Sequence, residues 1–435
     1  MSTAPASVAG DKPSIWQFIK LNLRDYVLLI SLAVILIFFQ IATSTSLKGT
    51  ASFGEALWVV LTDPITVVKN GIMFMPVNLT NIILQNSYII VMALGMLLII
   101  IAGHIDLSVG SVSGFVGGVA ALLLTGTMPF FKDGSLPFKF DTFTTSIICM
   151  ALGAAIGAAQ GYFVAYYRIP AFIVTLAGML IFRGLQLQVL GGASVGPFPP
   201  TFQGLSNGYL PDIFSYGDGF NLFAVVIGVL IAAALIFSNI KSRRAQVAHG
   251  LAEEPSAIFA SRNALIAIAF IGFCFLMAEY KGLPNVLIVM GVLIALFIFI
   301  TTRTTFGRRI YALGGNEKAT RLSGINTERL TFYIFTIMGA LAALGGMIYA
   351  ARLNVATPKA GNGLELDVIA ACFIGGAAVT GGVGKVTGAV IGAFIIGVMN
   401  NGMSILGVDI GWQFVIKGAV LMLAVFLDVY YKNKR

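Results

Sequence analysis

The chain has 435 residues, of which 58% are apolar and only 10% are charged, against roughly 45–50% and 25% in soluble globular domains. A soluble core does not account for that balance. The formal net charge of +9 could suggest a nucleic-acid partner, but the positions of Lys and Arg point to a membrane instead.

Apolar runs recur from end to end: Tyr26–Ile41, Ile82–Ala102, Val112–Leu124, Thr144–Tyr166, Ala171–Leu190, Leu222–Phe237, Ala264–Ala278, Val286–Thr301, Leu330–Ala350, Val368–Ala378, Val386–Ile405 and Phe414–Val429. Each is near the ~20 residues that carry a helix across the bilayer, or reaches that length with its small and hydroxyl-bearing neighbours. Lipid offers backbone groups no partner, so these runs must be helical. The expected fold is an all-α, polytopic transmembrane helix bundle of about twelve spans.

Before the first run stands a polar tail, residues 1–25, ending in Lys20 and Arg24 with no small-residue cleavage site behind a short apolar core. It reads as an uncleaved start. With that tail in the cytoplasm and the spans alternating, most Lys and Arg fall on inside segments, the positive-inside pattern. Both termini are then cytoplasmic, residues 26–431 form the transmembrane domain, and 432–435 are a short cytoplasmic tail. The basic charge needs no nucleic acid, and the expected surroundings are membrane lipid.

An external segment, Ser44–Thr80, carries apolar stretches and is assigned no function. After the second run, Gly103-His104-Ile105-Asp106-Leu107-Ser108-Val109-Gly110-Ser111 brings polar groups to membrane depth, where ionisable residues are costly and therefore functional candidates. Asp106 or Ser108 could cap the next helix. The same segment, His104 included, could equally be a discontinuous helix lining a transport path. Further path candidates are polar residues inside spans: Asn81, Gln85, Gln160, Gln186, Asn400 and Asn401. Each could instead be an interhelical hydrogen-bond partner.

Glycines spaced by four, at Gly110, Gly114 and Gly118, at Gly153, Gly157 and Gly161, and at Gly384, Gly388 and Gly392, give three helices smooth stripes for close backbone packing. Gly191–Phe220, rich in Gly and Pro and without Lys or Arg, is external by the alternation. Lys241–Asn263, with Lys241, Arg243, Arg244, His249, Glu253 and Glu254, reads as a charged connector.

The basic internal loop, 302–330, contains a short capped helix. Asn316 suits the N-cap, Glu317 the positive helix end, Arg321 the last turn and Gly324 a left-handed stop. Ala319 and Leu322 share a face, and so short a helix needs a packing partner, either its own bundle or a docked soluble protein. Farther on, Gly381–Gly388 only superficially resembles a phosphate loop. Val379 stands where the first glycine belongs and Val386 where Ser or Thr belongs. Cys149, Cys274 and Cys372 lie inside apolar runs without metal-ligand spacing, and only His104 and His249 are histidines. No catalytic centre, metal or cofactor is expected.

Three stretches, Tyr311–Asn326, Ile105–Ser111 and Leu366–Gly402, resemble the membrane permease subunit of ABC sugar importers of the ribose, galactose and xylose type, over about Asn78 to Asp428. Pro170–Leu180 and the extra pair of spans around Leu222–Tyr280 look most like the xylose branch; His104 departs from the family pattern. The resemblance implies a ten-span core plus an inserted pair, in the bacterial inner membrane. It also implies a permease homodimer, two cytoplasmic ABC ATPase subunits and a periplasmic sugar-binding protein, with energy from ATP hydrolysed on the partner. Gly314, Gly315, Asn316, Glu317, Ala319, Arg321, Leu322, Ser323, Gly324 and Ile325 would form the loop that touches the ATPase. An ion-coupled secondary transporter, or an ABC permease for a non-sugar solute such as an amino acid, remains an alternative. The acidic residues available for ion coupling, Asp106, Glu365 and Asp367, fall near expected span ends.

Overall fold

The computed structural model describes residues 15–44, 53–127, 139–214, 219–249 and 255–433. Glu253, Glu254 and the outer parts of both tails lie outside the described residues, as do parts of the segments 44–80 and 191–220. The described elements are helices in the order α1 Ile15–Ala42, α2 Phe53–Thr62, α3 Pro64–Lys69, α4 Pro76–Ile101, α5 Val109–Thr125, α6 Thr142–Ala165, α7 Ala171–Leu190, α8 Pro200–Gln203, α9 Leu222–Ala248, α10 Ser256–Ala278, α11 Asn285–Arg303, α12 Thr305–Gly315, α13 Glu317–Leu322, α14 Thr327–Leu353, α15 Leu364–Ile374, α16 Val386–Ile405 and α17 Ile410–Asn433. Among them, eight are long and apolar enough to cross a membrane: α4, α6, α7, α9, α10, α11, α14 and α16. Shorter apolar helical stretches are Val27–Ala42, Val109–Thr125 and Ile410–Phe426.

The chain divides into two compact units, residues 1–30 with 211–283, and residues 31–210 with 284–435. The first contains the helical hairpin α9–α10. Asn221 caps α9 by accepting from the Ala224 N–H at 2.9 Å, Gly228 lets the Cys274 side chain approach closely, and Asn239 donates to Asn263 at 2.9 Å. The Arg243 guanidinium lies 4.3 Å from the centre of the Phe259 ring. Many apolar side chains of the hairpin, Leu230, Phe237, Leu265 and Ile268 among them, are exposed, as expected of helices bathed in hydrocarbon.

In the second unit, α4 is the innermost element. Its apolar stretch is 94% buried, because it is hydrophobic all round and meets protein on every side. α14 runs antiparallel to it: the Tyr88 and Tyr349 rings pack edge-on at 4.9 Å, while Gly95 faces Met338 and Leu341. α6 is antiparallel to α14 as well, with Gly153, Gly157 and Gly161 set against Gly339, Ala343, Phe335 and Phe332. Of the third stripe, Gly388 and Gly392 lie on α16 against Gly375 and Ala371, whereas Gly384 sits in the preceding turn.

Two long helices are each followed by a break and a shorter helix. α4 has 26 residues, breaks at 102–108 and continues as α5 with 17; α14 has 27, breaks at 354–363 and continues as α15 with 11. Since α4 and α14 are antiparallel, the two motifs run in opposite senses. At the first break Gly103 takes φ +84°, so that the His104 N–H can reach the Ile99 carbonyl at 3.0 Å and close the helix end. The Ile101 carbonyl accepts from the Gly382 N–H at 2.8 Å. Asp106 accepts from both the N–H and hydroxyl of Ser108, at 2.7 and 2.6 Å. Neither side chain caps α5, so the expected cap is replaced by a turn that ends before the helix begins.

The second break is satisfied from outside itself. Gln186 on α7 donates to the carbonyls of Thr357 and Ala360 at 3.0 and 3.1 Å. Val195 and Ala356 exchange two backbone bonds of 2.9 Å, and Asn207 donates to the Arg352 carbonyl at 2.9 Å. The Gly- and Pro-rich segment after α7 is therefore strapped onto the break rather than free of the bundle. Non-helical backbone inside a membrane protein survives where protein groups satisfy it in this way.

Three expected boundaries change. Asn78 and Thr80 belong to α4, which Pro76 opens because its fixed φ suits a first turn and its missing N–H costs nothing there. The segment before it contains α2 and α3, and Gln40 of α1 holds α3 and the turn after it, donating to the Val68 carbonyl at 2.6 Å and accepting from the Phe74 N–H at 2.9 Å. The basic loop is mostly helical: α11 extends to Arg303, and α12 precedes α13.

Two consequences are measurable by unfolding the purified protein in mixed micelles. Gly157→Leu is expected to cost at least ~1–3 kcal/mol, because a Cβ there meets the Phe335 carbonyl and the Gly339 backbone; parental stability would contradict this packing. Gln186→Leu strips two break carbonyls of their donor and is expected to cost about 1–3 kcal/mol. A loss within ~0.5 kcal/mol, the usual range for surface changes, would mean that the break does not depend on α7.

Candidate functional site

The sequence candidates separate into three places within the larger unit. The first lies at the start of α5. Ser108 is fully buried and exchanges hydrogen bonds with Gln160 of α6, whose Nε2 donates to Oγ at 2.9 Å. Asp106 is buried behind it. Gly178 of α7 packs on Gln160 and Ser108, and Gly110 packs on Glu365 and Gly361. Gly114 faces the Ala360 carbonyl and Gln186, and Gly118 faces Leu190. The beginnings of α5 and α15 thus meet across glycine. Arg183 of α7 reaches Ser111 at 3.5 Å. Glu365 is buried, and its Oε2 has no hydrogen-bond partner. His104 stands apart from this cluster, half-buried, with its ring centre 6.0 Å from that of Phe335.

The second place is a cavity of about 220 Å³ lined by Gln85, Asn86, Tyr88, Ile89, Arg352, Leu364, Asp367, Gly397 and Asn400. Lys417 of α17 donates to both carboxylate oxygens of Asp367, at 3.0 and 3.4 Å, and Asn400 donates to the same carboxylate at 3.2 Å. Asn86 is fully buried, and its Oδ1 lacks a partner, as does Oδ1 of Asn400. Of the expected path residues, the cavity gathers Gln85 and Asn400. Asn81 is exposed on α4, and Asn401 is buried but does not line the space. Asp367 and Glu365 occupy the first turn of a buried half-helix rather than the end of a full span, because the preceding break carries the chain inside the protein.

The third place is α12–α13. Thr304 caps α12 through the Gly307 N–H at 3.1 Å, and Asn316 caps α13 through the Ala319 N–H at 2.9 Å. Gly324 has φ +82°. α12 docks inward: Ile310 and Leu313 are buried, Gly314 lies on the Ile101 carbonyl, and the Tyr311 hydroxyl donates to the Gly384 carbonyl at 2.7 Å. α13 buries only Thr320. Glu317, Ala319, Arg321, Ser323, Gly324 and Gly315 are exposed, Ile325 is half-buried, and Leu322 is 89% exposed. Arg321 and Arg168 both pair with Glu328, which ties α13 to α14.

Sequence reasoning passed over Arg183 and Lys417, the two cations inside apolar runs, and with them Arg352. The signal was available, since ionisable groups within spans are rare and usually paired. Their partners were not, because Lys417 and Asp367 are 50 residues apart. Among the described residues no group of His, Cys, Asp and Glu could hold a metal ion.

Comparison with known proteins identifies relatives of the chain. Residues 78–425 match the family model described as the permease component of branched-chain amino acid transport systems. The xylose transport system permease protein XylH of Escherichia coli K12 is 38% identical over 400 residues, 91% of this chain and 97% of that protein. XylH of Haemophilus influenzae is 38% identical over 415 residues, 95% and 98% of the two chains. The ribose import permease protein RbsC of E. coli K12 is 33% identical over 351 residues, 81% and 85%. No solved structure matches. The chain belongs to this family of transport-system permeases, together with the xylose and ribose permeases, and is a transport component rather than an enzyme.

Proposed function

We propose that this chain is the membrane subunit of a binding-protein-dependent ABC importer that carries a monosaccharide, D-xylose or a close relative, across the bacterial inner membrane. The similarity to xylose permeases over nearly the whole of both chains supports the solute class. In this reading the chain crosses the bilayer about twelve times, as a ten-span core with α9–α10 inserted, and both termini face the cytoplasm. Residues 26–431 form the permease domain. Two copies enclose the path, a periplasmic protein delivers the sugar, and two ATPase subunits bind the cytoplasmic side.

The observation that carries the coupling assignment is the outward face of α13. Its apolar Leu322 is 89% exposed, while the bundle side of the loop is already filled by Ile310, Leu313 and Thr320. A soluble partner suits that free face. Residues 302–330 then form the coupling element, with Gly314–Ile325 at the contact. Closure of the ATPases would push α13, and α12 would carry the movement to the end of α4 and the turn at Gly382–Gly384, which joins α15 to α16. Glycine faces between helices permit such rigid-body tilting. Two states with different contacts are required for ATP binding to bias the path.

An amino acid as solute is favoured by the family description alone. Uptake by the reconstituted importer decides between D-xylose and leucine.

Leu322 makes a clean probe because its side chain supports nothing inside the protein. Leu322→Glu is expected to reduce ATP-driven uptake at least tenfold in proteoliposomes, with insertion and thermal stability at parental levels. Normal uptake by this variant, or parental uptake that collapses with an ionophore but survives ATP depletion, would overturn the assignment.

A further inference from the structure

We infer that the cavity between α4, α16 and the junction of α14 with α15 is a monosaccharide-binding subsite within a single protomer, a place where the sugar rests after leaving the binding protein. This rests on the sugar-permease reading above and adds to it a location and a set of contacts.

Four observations converge. Six of the nine lining residues carry polar side chains in a region where α4 is otherwise apolar and almost wholly buried, and polar groups at that depth have a cost that packing alone does not explain. Asn86 is fully buried, and its Oδ1 has no partner; the Oδ1 of Asn400 is likewise buried without one. Leaving such an acceptor unsatisfied is costly, and a ligand hydroxyl would remove that cost. The volume, about 220 Å³, is below the ~300–1,000 Å³ of pockets for drug-sized ligands and suits one small ring. The site adjoins the first turn of α15, a discontinuous helix, which is where transporters of other folds place solute.

The chemistry selects a neutral polyol. Asn86 and Asn400 donate to the Ile82 carbonyl and the Asp367 carboxylate at 2.8 and 3.2 Å and each keep an unpartnered Oδ1 acceptor, while the Gln85 amide carries both donor and acceptor groups, a set that suits hydroxyl groups. Arg352 adds donors, and the Tyr88 ring supplies an apolar face. Asp367 is already engaged by Lys417 and Asn400, so its charge is balanced, and it offers little to the ammonium group of an amino acid. Only Ile89 and Leu364 contribute aliphatic side chains to the lining, too few to receive a branched hydrocarbon side chain.

Two measurements test the site in the complete importer. In proteoliposomes, Asn86→Leu and Asn400→Leu are each expected to lower the maximal rate of D-xylose uptake about tenfold or more, at parental thermal stability. In membranes, Gln85→Cys is expected to react with a small maleimide several-fold more slowly when millimolar D-xylose is present, and at an unchanged rate with leucine; the native Cys149, Cys274 and Cys372 are buried. This second readout does not depend on turnover or on the folding of the Leu variants. Should the parental importer take up D-xylose while both Leu variants transport normally and D-xylose gives no protection, the subsite is overturned and the permease reading stands. Protection by leucine but not by D-xylose would overturn the subsite and the sugar reading together.

Discussion

The close approach of Gly110 and Gly361 is the contact on which the larger unit depends. It lets the start of α5 lie directly on the backbone that leads into α15, which any side chain at these positions would prevent. Both segments are breaks in otherwise hydrophobic runs, and broken backbone inside a membrane needs internal hydrogen-bond partners. Gln186, Asn207, Val195 and Gly382 supply them. The breaks are thus held by a shared set of groups, and their polar residues, Asp106, Ser108, Glu365 and Asp367, are buried rather than placed at a water interface.

From that constraint follows a division of labour among the helices. α4, α6 and α14 form the centre, with α6 and α14 packed backbone against backbone at Gly157 and Gly339. α7 and α11 expose most of their apolar surface, with only 22% of each span buried, and so are suited to lipid or to a second copy. α12 is fixed to the end of α4 and to the turn before α16, whereas α13 leans outward with Leu322 uncovered. A push on α13 therefore reaches the elements that carry the cavity through short, packed connections.

The ion pair of Asp367 and Lys417 illustrates how electrostatics follows topology. A lone carboxylate or ammonium inside the bundle would be costly, and a pair is tolerated when further hydrogen bonds satisfy it, as Asn400 does here. The pair couples α17 to α15. It also accounts for two of the charges found in apolar surroundings.

The amino-acid sequence by itself determined the class. Apolar runs long enough to span, glycines spaced by four and Lys and Arg gathered on alternate segments are local or periodic signals, so the helical bundle was legible, as was the cap at Asn316. The family was legible too, because its motifs are contiguous in Ile105–Ser111 and Tyr311–Asn326. What only the tertiary structure decided is which residues meet. Gln85 and Asn400 lie far apart in the chain yet line one cavity, Asn81 and Asn401 look equivalent in sequence yet do not line it, and Lys417 finds Asp367 from another helix. The shortness of α15 was hidden as well, because the buried break before it is visible only once the bundle is packed. Periodicity reports the environment of a face; it does not report the partner, which depends on helix direction and rotation fixed only when the whole bundle packs.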